Sequence, residues 1–239
     1  TRLKEVIGAA DKYRAKSSNF TGRDVFLEHI NGMIYGDSPK EGIVRKNNFY
    51  HPDLGFALQL PHNWSVANRP DQLLLTAPQG AALIQLAAVD INKRETPREF
   101  MQTRLGLKSL SHDSPLEIHG LAAHTGLAPI NTSFGNRIAR FTTIYFNDKA
   151  YVIAGVARNE KGAKAYDQYF LETAQSFHAM TEHERTLARP LQLKITHVDS
   201  SESFSTLAGQ SPLETYPEEQ LRLLNNMFPE GQPRQDMLL

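Results

Sequence analysis

Arg137-Ile138-Ala139-Arg140-Phe141-Thr142-Thr143-Ile144-Tyr145-Phe146-Asn147-Asp148-Lys149-Ala150-Tyr151-Val152-Ile153-Ala154-Gly155-Val156-Ala157 decides the fold. Two runs rich in β-branched and aromatic residues, 137–146 and 150–157, flank Asn147-Asp148-Lys149, a hairpin signal. Downstream the period changes: Tyr166, Tyr169, Phe170, Ala174 and Phe177 step by three and four, as one face of a helix does. Upstream, strands are predicted at 116–119 and 121–129. Before them Thr96-Pro97-Arg98-Glu99 spells a capping box with proline at the first helical position, and the helix behind it carries Phe100, Met101 and Leu105 inward. Further strands fall at 72–77 and 82–91 around a Pro78-Gln79-Gly80 turn. Leu54, Phe56, Leu58 and Leu60 alternate until Pro61-His62-Asn63 stops them. Successive hairpins with few helices give an α+β body built on an antiparallel sheet, not a doubly wound nucleotide-binding fold.

Outside this body the pattern changes. Residues 1–35 read as helical: Leu3, Val6, Ile7 and Ala10 recur at helical spacing, and Asp24 is placed to cap a second helix carrying Phe26, Leu27 and Ile30. A connector from Asn31 to Gly42 holds three glycines and a proline, too many for a continuing helix. At the other end Ala188-Arg189-Pro190 marks a boundary, because proline disfavours helix in the residue before it. The tail beyond it carries three basic and seven acidic residues, a net charge of −4 in a chain whose total is zero. It reads as a strand at 191–198, a short helix at 203–208, and a second helix with Pro217 at its start and Asn225 at its end. The domains expected are a helical segment with connector at 1–44, the sheet body at 45–185 and a small domain at 190–239.

Composition removes several classes. The 239 residues contain equal numbers of basic and acidic side chains, which argues against a nucleic-acid partner. With no cysteine, disulfides, thiolate nucleophiles, Cys-ligated zinc and iron–sulfur clusters are excluded. No apolar run approaches the roughly 20 residues that span a bilayer. The first residue is Thr1, and the chain reads as a piece of something longer.

The chemical motifs fail one by one. A zincin needs His-Glu-x-x-His on a helix, whereas His183-Glu184-Arg185-Thr186-Leu187 puts leucine at the second ligand. His119 and His124, like His178 and His183, are five apart. That spacing splays side chains by about 140° on a helix and sends them to opposite faces of a strand. The nine histidines therefore read as solvated or singly hydrogen-bonded. Asn131-Thr132-Ser133-Phe134-Gly135 lacks the first glycine of a nucleophile elbow and reads as a hairpin tip. Glu218 and Glu219 suit a helix N-terminus, Trp64 a core anchor, and Tyr145 with Tyr151 a cross-strand pair. No residue is assigned a catalytic, cofactor-binding or metal-binding role.

The connector carries a more specific signal. Ile30-Asn31-Gly32-Met33-Ile34-Tyr35-Gly36-Asp37-Ser38-Pro39-Lys40-Glu41-Gly42 is followed by Phe49-Tyr50-His51-Pro52-Asp53-Leu54-Gly55-Phe56 and Pro61-His62-Asn63-Trp64. Together these resemble the junction after the catalytic domain in HtpX-like/BepA-like bacterial zinc metalloproteases. In that family the zinc ligands lie on the N-terminal side of the junction, so the resemblance implies a non-catalytic C-terminal portion, with zinc held by the parent protein and none here. The body resembles a PsbP-like α/β/α sandwich, a fold used for docking. The tail is similar to a LysM-type module, with Asp199-Ser200-Ser201-Glu202-Ser203 in place of its usual Gly-Asp-Thr turn, which implies a degenerate structural copy truncated near its closing strand.

The expected function is therefore an accessory region that positions substrate or partner proteins, or tethers a secreted metalloprotease in the periplasm or cell envelope. Its expected partners are the N-terminal protease domain, protein substrates and, as a lesser candidate, peptidoglycan. Two alternatives stand beside it: a free-standing protein holding a small apolar ligand or peptide in its sheet cleft, and a hydrolase using histidine and carboxylate from distant segments.

Overall fold

The computed structural model describes residues 22–91 and 94–239. The helix expected around Leu3 to Ala10 lies outside the described residues. In chain order the helices are α1 (Arg23–Ile30), α2 (Pro97–Thr103), α3 (Glu160–Gln175), α4 (Glu182–Leu187), α5 (Phe204–Gln210) and α6 (Pro217–Leu224). The chain divides into two compact units, one spanning Ile34–Leu191 and the other drawing on residues 22–33 and 192–239.

The larger unit is an α+β body. Two-residue strands β1 (Ile34–Tyr35) and β13 (Leu191–Gln192) stand where the chain enters and leaves it. Between them run β2 (Ile43–Arg45), β3 (Asn48–His51), β4 (Phe56–Gln59), β5 (Ser65–Arg69), β6 (Gln72–Thr76), β7 (Ala82–Asp90), β8 (Ser111–Ile118), β9 (Leu121–Thr132), β10 (Gly135–Phe146), β11 (Lys149–Ala157) and β12 (His178–Ala179). Seven form one antiparallel sheet in the order β5-β6-β7-β11-β10-β9-β8, and four form a smaller sheet ordered β12-β4-β3-β2. The β10–β11 hairpin turns through Asn147 and Asp148, both in the left-handed region at φ 45° and 60°. That is the turn whose twist matches a right-twisted strand pair.

β11 is buried along almost its whole length because the large sheet is covered on both faces. Tyr151 and Ile153 join Phe56, Leu58, Phe170 and Phe177 in the main core, formed with α3 and the small sheet. Ala150 and Val152 point the other way, against Phe100 of α2. Gly155 lets α3 approach, since a Cβ there would stand 2.2 Å from the Phe170 ring. Arg140, 7% exposed, fixes the same helix by a bidentate pair to Asp167 at 2.8 and 2.6 Å.

Three local expectations are corrected. α1 begins after Gly22 in the left-handed region and has no side-chain cap, so Asp24 lies in its first turn. Ile144 opposes Tyr151 and Tyr145 opposes Ala150, so the two tyrosines occupy opposite faces and form no cross-strand pair. The third concerns only degree: Trp64 packs against the main core as expected, but half-buried, with Tyr166 and Tyr169 at ring distances of 5.9 and 6.1 Å.

The smaller unit is built around Val198, Phe204 and Leu239. The strand expected at 191–198 shrinks to two residues and an isolated antiparallel bridge between His197 and Leu238. Thr196 and Leu239 exchange backbone hydrogen bonds of 3.1 and 2.9 Å beside that bridge. Ser203 caps α5 with a reciprocal box to Thr206, and Asn225 ends α6. α1 is tied in through the Arg23 guanidinium, which donates to the Leu238 carbonyl at 2.7 Å.

Candidate functional site

The residues tested for chemistry are dispersed. His183 and Glu184 lie on α4, whose capping box joins Thr181 to Glu184. Glu184 also accepts from His178 Nε2 at 2.8 Å, while His178 Nδ1 donates to the Ser176 carbonyl at 2.7 Å. With both ring nitrogens donating, the imidazolium is favoured. Burial pulls His178 down, but the Ser176 carbonyl and Glu184 outweigh it and its pKa is raised. Burial pushes Glu184 up, but hydrogen bonds from Thr181 and His178 prevail and its pKa is lowered. The His119 ring lies 5.5 Å from His178 and sits in the β8–β9 turn at φ 48°. On the far side of the sheet, buried His124 meets Asp113 at 2.9 Å, and Asp113 also accepts from Arg98 at 2.8 Å. Among the described residues no three of His, Asp and Glu converge as a metal site. Asn131 to Gly135 form the β9–β10 hairpin tip.

One shaped site does exist, and it lies at the seam between the two sheets of the larger unit. Phe49 and His51 of β3, Phe56 of β4, Asn68 of β5, Leu86 of β7 and Tyr151 of β11 contribute to a cleft of about 60 Å³. The Asn68 Nδ2 donates to the Gly42 carbonyl at 2.8 Å, which fixes the amide orientation and leaves Oδ1 buried with no hydrogen-bond partner. The Tyr151 hydroxyl is likewise buried and unpartnered in a residue 1% exposed. Burial pushes its pKa up to about 12, so it remains a neutral hydroxyl. His51 lies against Phe49 and Phe56 at 6.2 and 5.5 Å. Its Nδ1 accepts from the Leu54 N–H at 3.4 Å, and burial outweighs Asp53 to lower its pKa. The cleft's lining is thus mixed, since Glu41, Arg69 and Asp71 join these side chains, and the two unpartnered oxygens belong to lining residues but are themselves closed to solvent. Sequence reading missed it because its walls come from segments between Glu41 and Tyr151.

Exposed apolar side chains form the other notable feature. In the smaller unit Phe26 is 61% exposed, and Val25 and Met33 also stand out to solvent. So do Tyr216 and Leu223 at the two ends of α6 and Phe228 beyond it. No described helix is long and apolar enough to cross a membrane.

No family model matches the sequence, and no curated protein does. Among solved structures, the chain is similar to PsbP (CyanoP) from Synechocystis sp. PCC 6803 at 13% identity and a TM-score of 0.44, over 61% of this chain and 98% of that one. It is similar to the Ran-binding protein Mog1p of Saccharomyces cerevisiae at 11% identity and a TM-score of 0.39, over 57% of this chain and 96% of that one. LpqN, involved in cell envelope biogenesis of Mycobacterium tuberculosis, gives 12% and 0.39, over 53% and 83%. At these values the likenesses assign no function; the α+β class rests on the strands and helices above.

Proposed function

We propose that this chain is a non-catalytic accessory region of a bacterial zinc metalloprotease of the cell envelope, holding a protein partner or the protease domain itself. The observation that carries the reading is the outward display of Val25, Phe26 and Met33 in the segment that the resemblance places next to the catalytic domain. Large apolar side chains exposed together mark interaction surfaces more often than isolated ones do. The junction motif across residues 30–64 supports the parent family. Zinc and bond cleavage belong to the upstream domain in this reading, and the described residues bring no ligand set together for the metal. The two short helices, the first of them capped by Ser203, and the His197–Leu238 bridge support a LysM-like arrangement of the tail, used structurally, with peptidoglycan as its lesser partner. The alternative of an enclosed small apolar ligand gains no support from a cleft of about 60 Å³, since such ligands fill roughly 300–1,000 Å³.

The test is the complete encoded polypeptide. A His-Glu-x-x-His helix should lie upstream of Thr1. That separately produced domain should bind this chain in calorimetry, and Phe26→Ser should weaken binding by about tenfold or more, the size of effect an aromatic anchor gives. An upstream sequence with no such helix, or no association between the two parts, would refute the reading.

A further inference from the structure

Sheet edges leave main-chain N–H and C=O groups to find partners, and folded proteins guard them with proline, bulges, charge or shortness. Most edges of the larger unit are guarded in this way. β8 carries Pro115, the acidic Asp113 and Glu117, and a register break between Ser111 and Ser114. β2 is three residues long, and its Val44 N–H donates to Asp37 Oδ2 at 2.9 Å. β1, β12 and β13 have two residues each. β5, the other edge of the seven-stranded sheet, has none of these devices. Ser65-Val66-Ala67-Asn68-Arg69 holds no proline, acid or lysine, and it pairs with β6 without a break.

The β5–β6 turn fixes which groups look outward. Arg69 and Gln72 close a two-residue loop, so they exchange both main-chain hydrogen bonds, as do Ala67 with Leu74 and Ser65 with Thr76. Val66 and Asn68 therefore direct N–H and C=O away from β6. Among the described residues neither main chain meets a hydrogen-bond partner on that side, and only β6 lies broadly against β5. The edge is also self-complementary. Two copies of β5 running antiparallel about Ala67 set Val66 of each opposite Asn68 of the other, and each such pair exchanges both of its outward hydrogen bonds. Ala67 then faces its own copy at a non-hydrogen-bonded position, where Cα atoms approach to about 4.5 Å and a methyl group fits. Arg69 faces Ser65, so no like charges are opposed, and a chain of zero net charge sets up no long-range repulsion between copies. We propose that β5 is a dimerisation edge, at which a second copy of this chain adds its own β5 and joins the two seven-stranded sheets into one. The proposal is independent of the accessory reading.

Two strands of this length bury less than the roughly 1,200 Å² of a standard interface, so the dimer should be weak, with a Kd on the order of 10–100 μM. Sedimentation velocity of the full chain from about 5 μM to about 1 mM, a range that brackets this Kd, should show a monomer giving way to a dimer. Ala67 is exposed. Ala67→Lys and Ala67→Glu should therefore keep the parent's urea midpoint, yet each should stay monomeric, because like charges then face each other across the axis. An equimolar mixture of the two should dimerise again, at least as tightly as the parent. Ser114→Lys, on the guarded edge β8, should dimerise as the parent does. Cross-linking reads the register. The chain has no cysteine, so Ala67→Cys supplies a single thiol that faces its own copy within disulfide reach, and mild oxidation should yield a covalent dimer. Ser65→Cys, whose thiol faces Arg69 instead, should not. A chain monomeric throughout, which leaves β5 to another protein's strand, overturns the proposal. So does a dimer that survives both Ala67 charges, a mixture that fails to dimerise, or faster cross-linking through Ser65→Cys. None of these measurements needs the upstream domain, so failure here leaves the accessory reading to its own test.

Discussion

Gly155→Ala should be the most damaging single-methyl change in the larger unit. The added Cβ would stand 2.2, 2.5 and 2.6 Å from three Phe170 ring atoms, against about 3.4 Å or more for ordinary contact. To relieve this, α3 must lift by about 1 Å or Phe170 must leave its rotamer. Lifting is opposed by the Arg140–Asp167 pair and by Ala174 and Phe177, both fully buried in the same core. Overpacking of this kind costs about 3 kcal/mol, the upper part of the usual range. For a unit of this size, that corresponds to a fall in Tm of about 6–12 °C. Trp64, the only tryptophan, lies against Tyr166 and Tyr169 of α3 and reports on the helix by fluorescence during urea unfolding. Phe170→Leu in the Gly155→Ala background should recover at least about 1 kcal/mol relative to additivity, because the clash is between those two residues. A Gly155→Ala protein within about 0.5 kcal/mol of the parent, or strict additivity in the cycle, would refute the packing argument.

Asp167→Ala should cost about 3 kcal/mol, since it leaves the buried Arg140 guanidinium without its carboxylate; a loss below about 1 kcal/mol in urea unfolding would contradict this. Thr181→Ala should cost about 1 kcal/mol by removing the cap of the six-residue α4, checked in the same assay. The His178–Glu184 pair gives a pH signature. The raised His178 pKa contributes stability present below its ordinary 6.5 and lost as pH rises through the folded value. The lowered Glu184 pKa contributes stability present above 4.5 and lost as pH falls through its folded value. The pair should therefore help most between these values, and His178→Gln should selectively flatten that part of the stability–pH curve; an unchanged curve would count against the ion pair.

Legibility followed the locality of each signal. The Thr96 capping box and the Asn147-Asp148 turn are set by three or four neighbouring residues, and both form as read. The α3 helix was equally plain because its apolar stripe faces one side of a covered sheet. β5 escaped notice because Ser65-Val66-Ala67-Asn68-Arg69 is an edge strand with one large apolar side chain. The alternation seen from Leu54 to Leu60 was only half of β4: Ala57 is also buried, packed with Tyr50, Met180 and Ala188 on the strand's other side. The tail strand was over-read because its partner, Leu238, contributes only a single bridge. The cleft was invisible for the opposite reason to the hairpin. Asn68 and Tyr151 are 83 positions apart, and only the packed sheets bring the two residues to one cleft.

In the proposed function this chain holds and positions, and leaves bond cleavage to another segment. Zinc titration into the purified chain by calorimetry, with casein cleavage followed in parallel, tests it most directly. The expected result is no stoichiometric heat and no cleavage at any zinc concentration. One zinc bound per chain with micromolar or tighter affinity, accompanied by peptide-bond hydrolysis, would contradict it.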